Sequence, residues 1–162
     1  MRMATEKLKF KLELYATMWD KPPVAEVKLN SKSYFKSEIT GTEQDPIVIE
    51  FEAELTEESE YNLIIERSGK GKNQTVLNDK REIIKDQLLH IKSIEIDEIN
   101  IGPLVYEGVY TPKYPEPWAT QQRESGNDLK DSFKNVTQMG FDGEWKFTFS
   151  SPFYMWLLEN LY

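Results

Sequence analysis

From Leu8 to Leu14 every second residue is apolar: Leu8, Phe10, Leu12 and Leu14 alternate with Lys9, Lys11 and Glu13. Successive side chains of a strand point to opposite faces, so this spacing predicts a strand with one buried and one wet face. After Pro22-Pro23, "VAEVKLN" predicts a shorter strand, and Asn30-Ser31-Lys32 a turn into "SYFKSEI". Further on, Ile47, Ile49, Phe51, Ala53 and Leu55 share one face, with Glu50, Glu52 and Glu54 on the other. "SEYNLIIER" repeats the pattern through Tyr61, Leu63 and Ile65. Up to residue 67 the chain reads as β throughout.

Residues 68–87 form a polar connection that holds two short apolar pieces, Val76-Leu77 and Ile83-Ile84. In "KDQLLHIKSIEIDEINIG" the apolar phase then changes twice. Leu89 and Ile91 are odd-numbered, Ile94 and Ile96 even, Ile99 and Ile101 odd again. A one-residue slip swaps the faces of a strand, so each change needs a backbone irregularity. The first, at Lys92-Ser93, has the signature of a β-bulge. The second, at Asp97-Glu98, fits a tight reversal or second bend before Gly102-Pro103. A strand bent in this way is expected to pass from one sheet toward another.

Between Tyr110 and Lys134 prolines and aromatics replace the aliphatics, which predicts a long excursion over 110–134. A short helix is expected over 117–124, with Pro117 at its first position. "NVTQMGFDGEWKFTFS" predicts a hairpin around Asp142-Gly143, with Trp145, Phe147 and Phe149 on its inner face. The tail changes to helical period over 151–162. Ser151 is placed to cap, Pro152 to open the helix, and Phe153, Trp156, Leu157 and Leu161 to face the core. The whole predicts an all-β chain: one domain over 1–162, an antiparallel jelly-roll-like β-sandwich whose C-terminal helix closes one side.

Charge and composition narrow the function. The 162 residues carry a net charge of -8, and the basic residues cluster only in "GKGKN" at 69–73, so nucleic-acid binding is disfavoured. There is no cysteine, which removes disulfides, thiolate chemistry and Cys-ligated zinc. No apolar run approaches the roughly 18 residues of a membrane span, and "MRMATEKLKF" lacks the apolar centre of a signal peptide. The expectation is a soluble chain made in a cytosol.

The parts of an enzyme are sparse. His90, the single histidine, lies in a predicted strand between Leu89 and Ile91 and reads as sheet decoration rather than a base. Nucleophile elbow, phosphate loop and HExxH patterns are missing, and the acidic residues fall mainly at outward strand positions. The chain is therefore read as non-catalytic, with no required cofactor. Asn78, Asp79, Asp86 and Asp97 offer the oxygen ligands that calcium prefers, without EF-hand spacing; turn-forming side chains explain Asn78 and Asp79 equally well. Tyr106, Tyr110, Tyr114 and Trp118, set among prolines, form the most suggestive group. Such rings can anchor a protein interface, stack on sugar faces, or fold back to cover the core.

Two resemblances bear on these alternatives. "KDQLLHIKSIEIDEI" resembles a segment of calcium-dependent, xylan-binding-type carbohydrate-binding modules, which are jelly-roll β-sandwiches. The resemblance implies that Asp86, in the acidic loop before the strand, helps hold calcium; Asp79, from the loop oxygens named above, is the second candidate if an ion binds. Gln87-Leu88 stand where that family usually shows Arg-Asn or Arg-Asp. Over roughly 73–162, "NQTV", "KDQLLHIKSIEIDEINIG", "YPEPWATQQRESG", "NDL" and "MGFDGEWKFTFSSPFYMWLLENLY" resemble small structural proteins of tailed, T4-like and marine bacteriophages. That resemblance implies a virion protein (decoration, neck, tail or fibre) made in the host cytoplasm. Its partners would be other virion proteins and itself, with no membrane or nucleic acid. The expected function is thus a structural or accessory virion protein, with a module binding host or environmental polysaccharide as the alternative.

Overall fold

The computed structural model describes residues 4–19, 21–70 and 76–161. Two five-stranded antiparallel sheets face each other. In the first, β1 (Thr5–Thr17) lies between β4 (Ile47–Thr56) and β8 (Leu88–Ile96). β9 (Ile99–Asn100) folds back on β8, and β11 (Gln138–Met139) forms the other edge. The second sheet runs β10 (Val109–Pro112), β12 (Gly143–Ser151), β5 (Ser59–Ser68), β2 (Val24–Leu29), β3 (Lys32–Glu38). A separate ribbon pairs β6 (Val76–Leu77) with β7 (Ile83–Lys85). This is the antiparallel β-sandwich that the alternation predicts. No helix among the described residues is long and apolar enough to cross a membrane.

The predicted inner faces meet in one core. Leu8, Phe10, Leu12 and Leu14 of β1 are buried, as are Leu63 and Ile65 of β5 and Trp145, Phe147 and Phe149 of β12. Phe10 of the first sheet approaches Phe149 of the second with ring centroids 6.2 Å apart. Fully burying each such side chain contributes about 1.5–3 kcal/mol. Phe51 is only half-buried and lies between Phe10 and Tyr34, its ring stacked on both.

Both phase changes have backbone causes. Along β8, Ile91 pairs with Leu14 and Ser93 with Glu13, so Lys92 is the extra residue of a bulge. Ile96 pairs with Ile99 across a two-residue turn in which Asp97 and Glu98 have φ of 54° and 68°. Two positive φ values give the twist that a tight hairpin needs. The bulged strand does not change sheets, however. It stays on β1 on both sides of Lys92, because the bulge restores the inward phase that the core requires.

The expected hairpin at Asp142-Gly143 does not form. β11 pairs with β8 in the first sheet, whereas β12 pairs with β5 and β10 in the second, so this loop crosses the sandwich. An Asp-Gly dipeptide permits a tight turn without choosing its partners. Gly143 is needed for another reason: a Cβ there would lie 2.3 Å from the Thr111 carbonyl oxygen.

The excursion is also shorter than expected. Residues 109–112 belong to β10, and Tyr110 and Phe133 close the loop with reciprocal backbone bonds of 2.9 and 2.8 Å. Within it, α1 spans Trp118–Glu124, with Pro117 as its N-cap residue rather than its first helical one. The C-terminal helix α2 spans Phe153–Leu161. Ser151 does not cap it; it ends β12, and its hydroxyl donates to Glu6. The Glu6 carboxylate caps instead, accepting from Phe153 N at 2.8 Å, where negative charge suits a helix N-terminus. Phe153 and Leu157 are buried, and Trp156 meets Phe147 edge-on at 5.6 Å. The Leu161 side chain lies outside the described residues.

Candidate functional site

Where several loops converge, they enclose a cleft of about 700 Å³. The ribbon supplies Leu77 and Ile83; the excursion supplies Lys113, Pro115, Glu116, Pro117, Trp118 and Gln121; the β11–β12 loop supplies Phe141 and Asp142; and Lys70 follows β5. A second depression lies on the first sheet, among Lys9, Lys11, Glu50, Glu52 and Glu95. It is the wet face of the alternating strands, where Lys11 pairs with Glu95 at 3.8 Å.

The aromatic part of the cleft is a three-ring cluster. Phe141 lies edge-on to Tyr114 at 5.0 Å and 5.5 Å from Trp118, while Tyr114 and Trp118 are 6.0 Å apart. Trp118 opens α1 and keeps 36% of its surface exposed. Its neighbour Ala119 is buried, and its N–H donates a hydrogen bond to the Pro115 carbonyl at 2.9 Å, which anchors the helix. The Tyr114 hydroxyl donates to the Lys130 carbonyl at 2.7 Å, tying the two limbs of the excursion.

The four aromatics singled out in the sequence therefore separate. Tyr114 and Trp118 come together. Tyr106 sits in a 3-10 helix over Gly102–Glu107, 47% exposed, and no ring contact among the described residues joins it to the cluster. Tyr110 is buried and offers no free ring face. Its hydroxyl donates to the Phe141 carbonyl at 2.7 Å and accepts from Phe141 N at 2.9 Å, so it fixes the main chain that presents Phe141. Burial, partly offset by its bond to Phe141, pushes the Tyr110 hydroxyl up to about 12.

Two cations not singled out in the sequence support the cleft, Lys70 in its lining and Arg67 buried behind it. Arg67 continues the inward alternation Leu63, Ile65, and it is 2% exposed. Its guanidinium donates to the Met139 carbonyl at 3.0 Å, the Gln87 carbonyl at 2.7 Å and Gln87 Oε1 at 2.6 Å. It thereby ties β5 of the second sheet to β11 and to the start of β8 in the first, across the sandwich. Burial lowers its pKa, opposed by Asp142, Tyr110 and Asp86, and a guanidinium stays charged throughout. Lys70 Nζ donates to Asp86 Oδ1 at 3.0 Å and to the Gly140 carbonyl, and lies 5.0 Å from the centre of the Phe141 ring. The signal for Arg67 was its phase; the signal for Phe141 was its place beside Gly140, with no partner in an alternating strand.

The candidate calcium ligands do not fit a calcium ion. Asp86 binds the Lys70 ammonium. Asn78 Oδ1 accepts from Lys80 N and Glu82 N, both at 2.9 Å, as a turn former does, and Asp79 is an exposed residue of that turn. Asp97 lies in the β8–β9 turn and accepts from the Tyr154 hydroxyl. Calcium takes about 6–8 oxygens at about 2.3–2.6 Å, whereas these residues lie on three separate segments, and Asn78, Asp86 and Asp97 are already bonded. Among the described residues no three acidic, histidine or cysteine side chains gather as a metal site. His90 stacks on its cross-strand neighbour Tyr15 at 4.4 Å and bonds Thr17 at 2.8 Å, and burial lowers its pKa, so it is neutral at pH 7.

No protein-family model matches the chain, and no curated protein matches it in sequence. Among solved structures, the selenomethionine form of vCBM60 is similar over 86% of this chain and 89% of its own, with a TM-score of 0.50 and 7% identity. It is described within a circular-permutation link between two families of calcium-dependent carbohydrate-binding modules. vCBM60 in complex with galactobiose aligns over 86% of this chain and 96% of its own, at a TM-score of 0.49 and 6% identity. Neither similarity supports a phage origin. What this chain shares with the first is the β-sandwich fold.

Proposed function

We propose that this protein is a non-catalytic glycan-binding module whose ligand lies in the Trp118–Phe141 cleft. The observation that carries the reading is an exposed tryptophan beside a half-buried phenylalanine, in a cleft with polar groups at its rim. A pyranose ring has an apolar C–H face that stacks on an aromatic face and a girdle of hydroxyls that need partners. Gln121, Glu116 and Asp142 are cleft residues of the right chemistry to bond hydroxyls. The volume of about 700 Å³ falls in the range of small-molecule sites, about 300–1,000 Å³, and is enough for a short oligosaccharide. The fold of vCBM60, a carbohydrate-binding module, supports the reading by analogy only.

The exposed Leu77 and Ile83 favour a second reading, in which the cleft takes a segment of a protein partner. Affinity electrophoresis through gels carrying soluble xylan, galactan, glucan or mannan, backed by a glycan array, separates the two. Retardation by at least one polysaccharide, lost in Trp118→Ala, is the expected result. Migration unaffected by every glycan would reject the module and leave the protein partner.

A further inference from the structure

The similar fold belongs to modules described as calcium-dependent, yet here the charge that joins the cleft loops is already part of the chain. We propose that the Lys70 ammonium is a built-in cation that clamps the loops beneath Trp118 and Phe141, so that the cleft is assembled, and binds, without calcium. The clamp stands on geometry alone; its consequence for binding rests on the glycan reading above.

Lys70 lies just beyond β5, after Gly69 in a left-handed conformation with φ of 89°. Its side chain is 13% exposed and that of Asp86 is 17% exposed, so the pair lies in a medium where charge interacts more strongly than at the surface. An ammonium has three donors. One goes to Asp86 Oδ1, before β8, and one to the Gly140 carbonyl, before β12. The Phe141 ring, 5.0 Å away, faces the same charge. The Lys70 amide adds a bond to Asp142 Oδ1 at 3.1 Å. A single residue thus ties the end of β5 to both loops that build the floor, and one of those loops carries Phe141.

The same charges exclude a metal. Calcium entering between Asp86 and Gly140 would have to displace the ammonium. It would then face the Arg67 guanidinium, which is bonded to the carbonyl and the side chain of the next residue, Gln87. Asp86 itself also accepts from Gln87 N at 2.8 Å, so the oxygen that holds the ammonium already carries a second donor.

The test uses the full chain labelled with 5-fluorotryptophan, whose Trp118 resonance is assigned from Trp118→Phe. In the wild type, chelator and millimolar calcium should give the same melting temperature within about 1 °C and the same Trp118 shift. Lys70→Met should move or broaden the Trp118 resonance while Trp145, in the core, keeps its own; Lys70→Arg, which keeps the charge, should restore part of the shift. If the polysaccharide gels identify a ligand, its retardation should be equal in calcium and in chelator and at least about tenfold weaker in Lys70→Met. A calcium-induced rise of several degrees in the wild type, abolished by Asp86→Ala, would overturn the proposal. So would a Lys70→Met protein whose Trp118 resonance is unchanged. If no glycan binds, the module reading fails, but the resonance and the calcium comparison still decide the clamp.

Discussion

Replacing Arg67 by methionine keeps most of the aliphatic volume and removes the charge and its donors. Three acceptors lose their partner: the Met139 carbonyl, the Gln87 carbonyl and Gln87 Oε1. Gln87 is itself fully buried, so water does not easily replace the guanidinium. Each orphaned buried acceptor costs about 1–3 kcal/mol. Against that, the variant no longer strips water from a buried charge, a relief of several kcal/mol, and swaps of buried ionic groups for apolar ones are sometimes neutral. Because three acceptors are stranded together, the loss should win by about 2–4 kcal/mol. For a chain of this size that is a fall in melting temperature of roughly 5–15 °C. Guanidinium denaturation should show a lower midpoint at an unchanged slope. Adding Gln87→Leu removes one of the stranded acceptors, the side-chain Oε1, so the double variant should be less destabilised than the sum of the two single variants. A single variant within about 0.5 kcal/mol of wild type, together with simple additivity, would refute the picture of Arg67 as the tie from β5 to β8 and β11.

Other parts of the fold make equally direct predictions. A Cβ at Gly108 would lie 2.2 Å from Trp145 Cε2, inside a core where the indole is 0% exposed, so Gly108→Ala should cost about 1–3 kcal/mol or more in a thermal melt. Deleting 153–161 removes buried Phe153 and Leu157, about 1.5–3 kcal/mol each, and uncovers Phe147 and Phe149; circular dichroism should show a melting temperature lower by at least about 10 °C. With the Tyr110 hydroxyl raised to about 12, the native state keeps its proton between pH 10 and 12 while the unfolded chain loses it. The contribution is intact below pH 10 and falls by about 2–3 kcal/mol as pH rises to 12. Ultraviolet titration near 295 nm should show Tyr110, identified by its loss in Tyr110→Phe, ionising at higher pH in the native protein than in the denatured chain.

The sandwich was legible because its strands alternate cleanly and a face, once buried, fixes the register. Lys92 and the pair Asp97-Glu98 announced the bulge and the turn by shifting that phase. The same rule placed Arg67 inward, but a charged residue at the end of a strand normally reads as a solvated terminus. Its burial depends on Gln87 and Met139, which are distant in sequence. The Asp142-Gly143 loop was misplaced for a related reason: local turn chemistry does not say which sheet the next strand joins. At the site, Trp118 and Tyr114 stood out as aromatics without aliphatic neighbours. Tyr110 did too, and only its pairing with Phe133 and Phe141 distinguishes a support from a contact surface. Lys70 gave no signal, because a lysine in a polar loop is usually solvated.

Trp118 puts the account to its most direct test. Its ring is partly exposed, and its ring contacts among the described residues are with Tyr114 and Phe141 of the loops rather than with the core, so Trp118→Ala should leave the melting temperature within about 1–2 °C. Calorimetric titration of wild type and variant with the oligosaccharide whose polymer retards the protein most is the decisive measurement. The expected result is saturable binding to the wild type and a loss of at least about tenfold in the equally stable variant. Equal affinity in the two proteins would place the ligand elsewhere and contradict the assignment of the cleft.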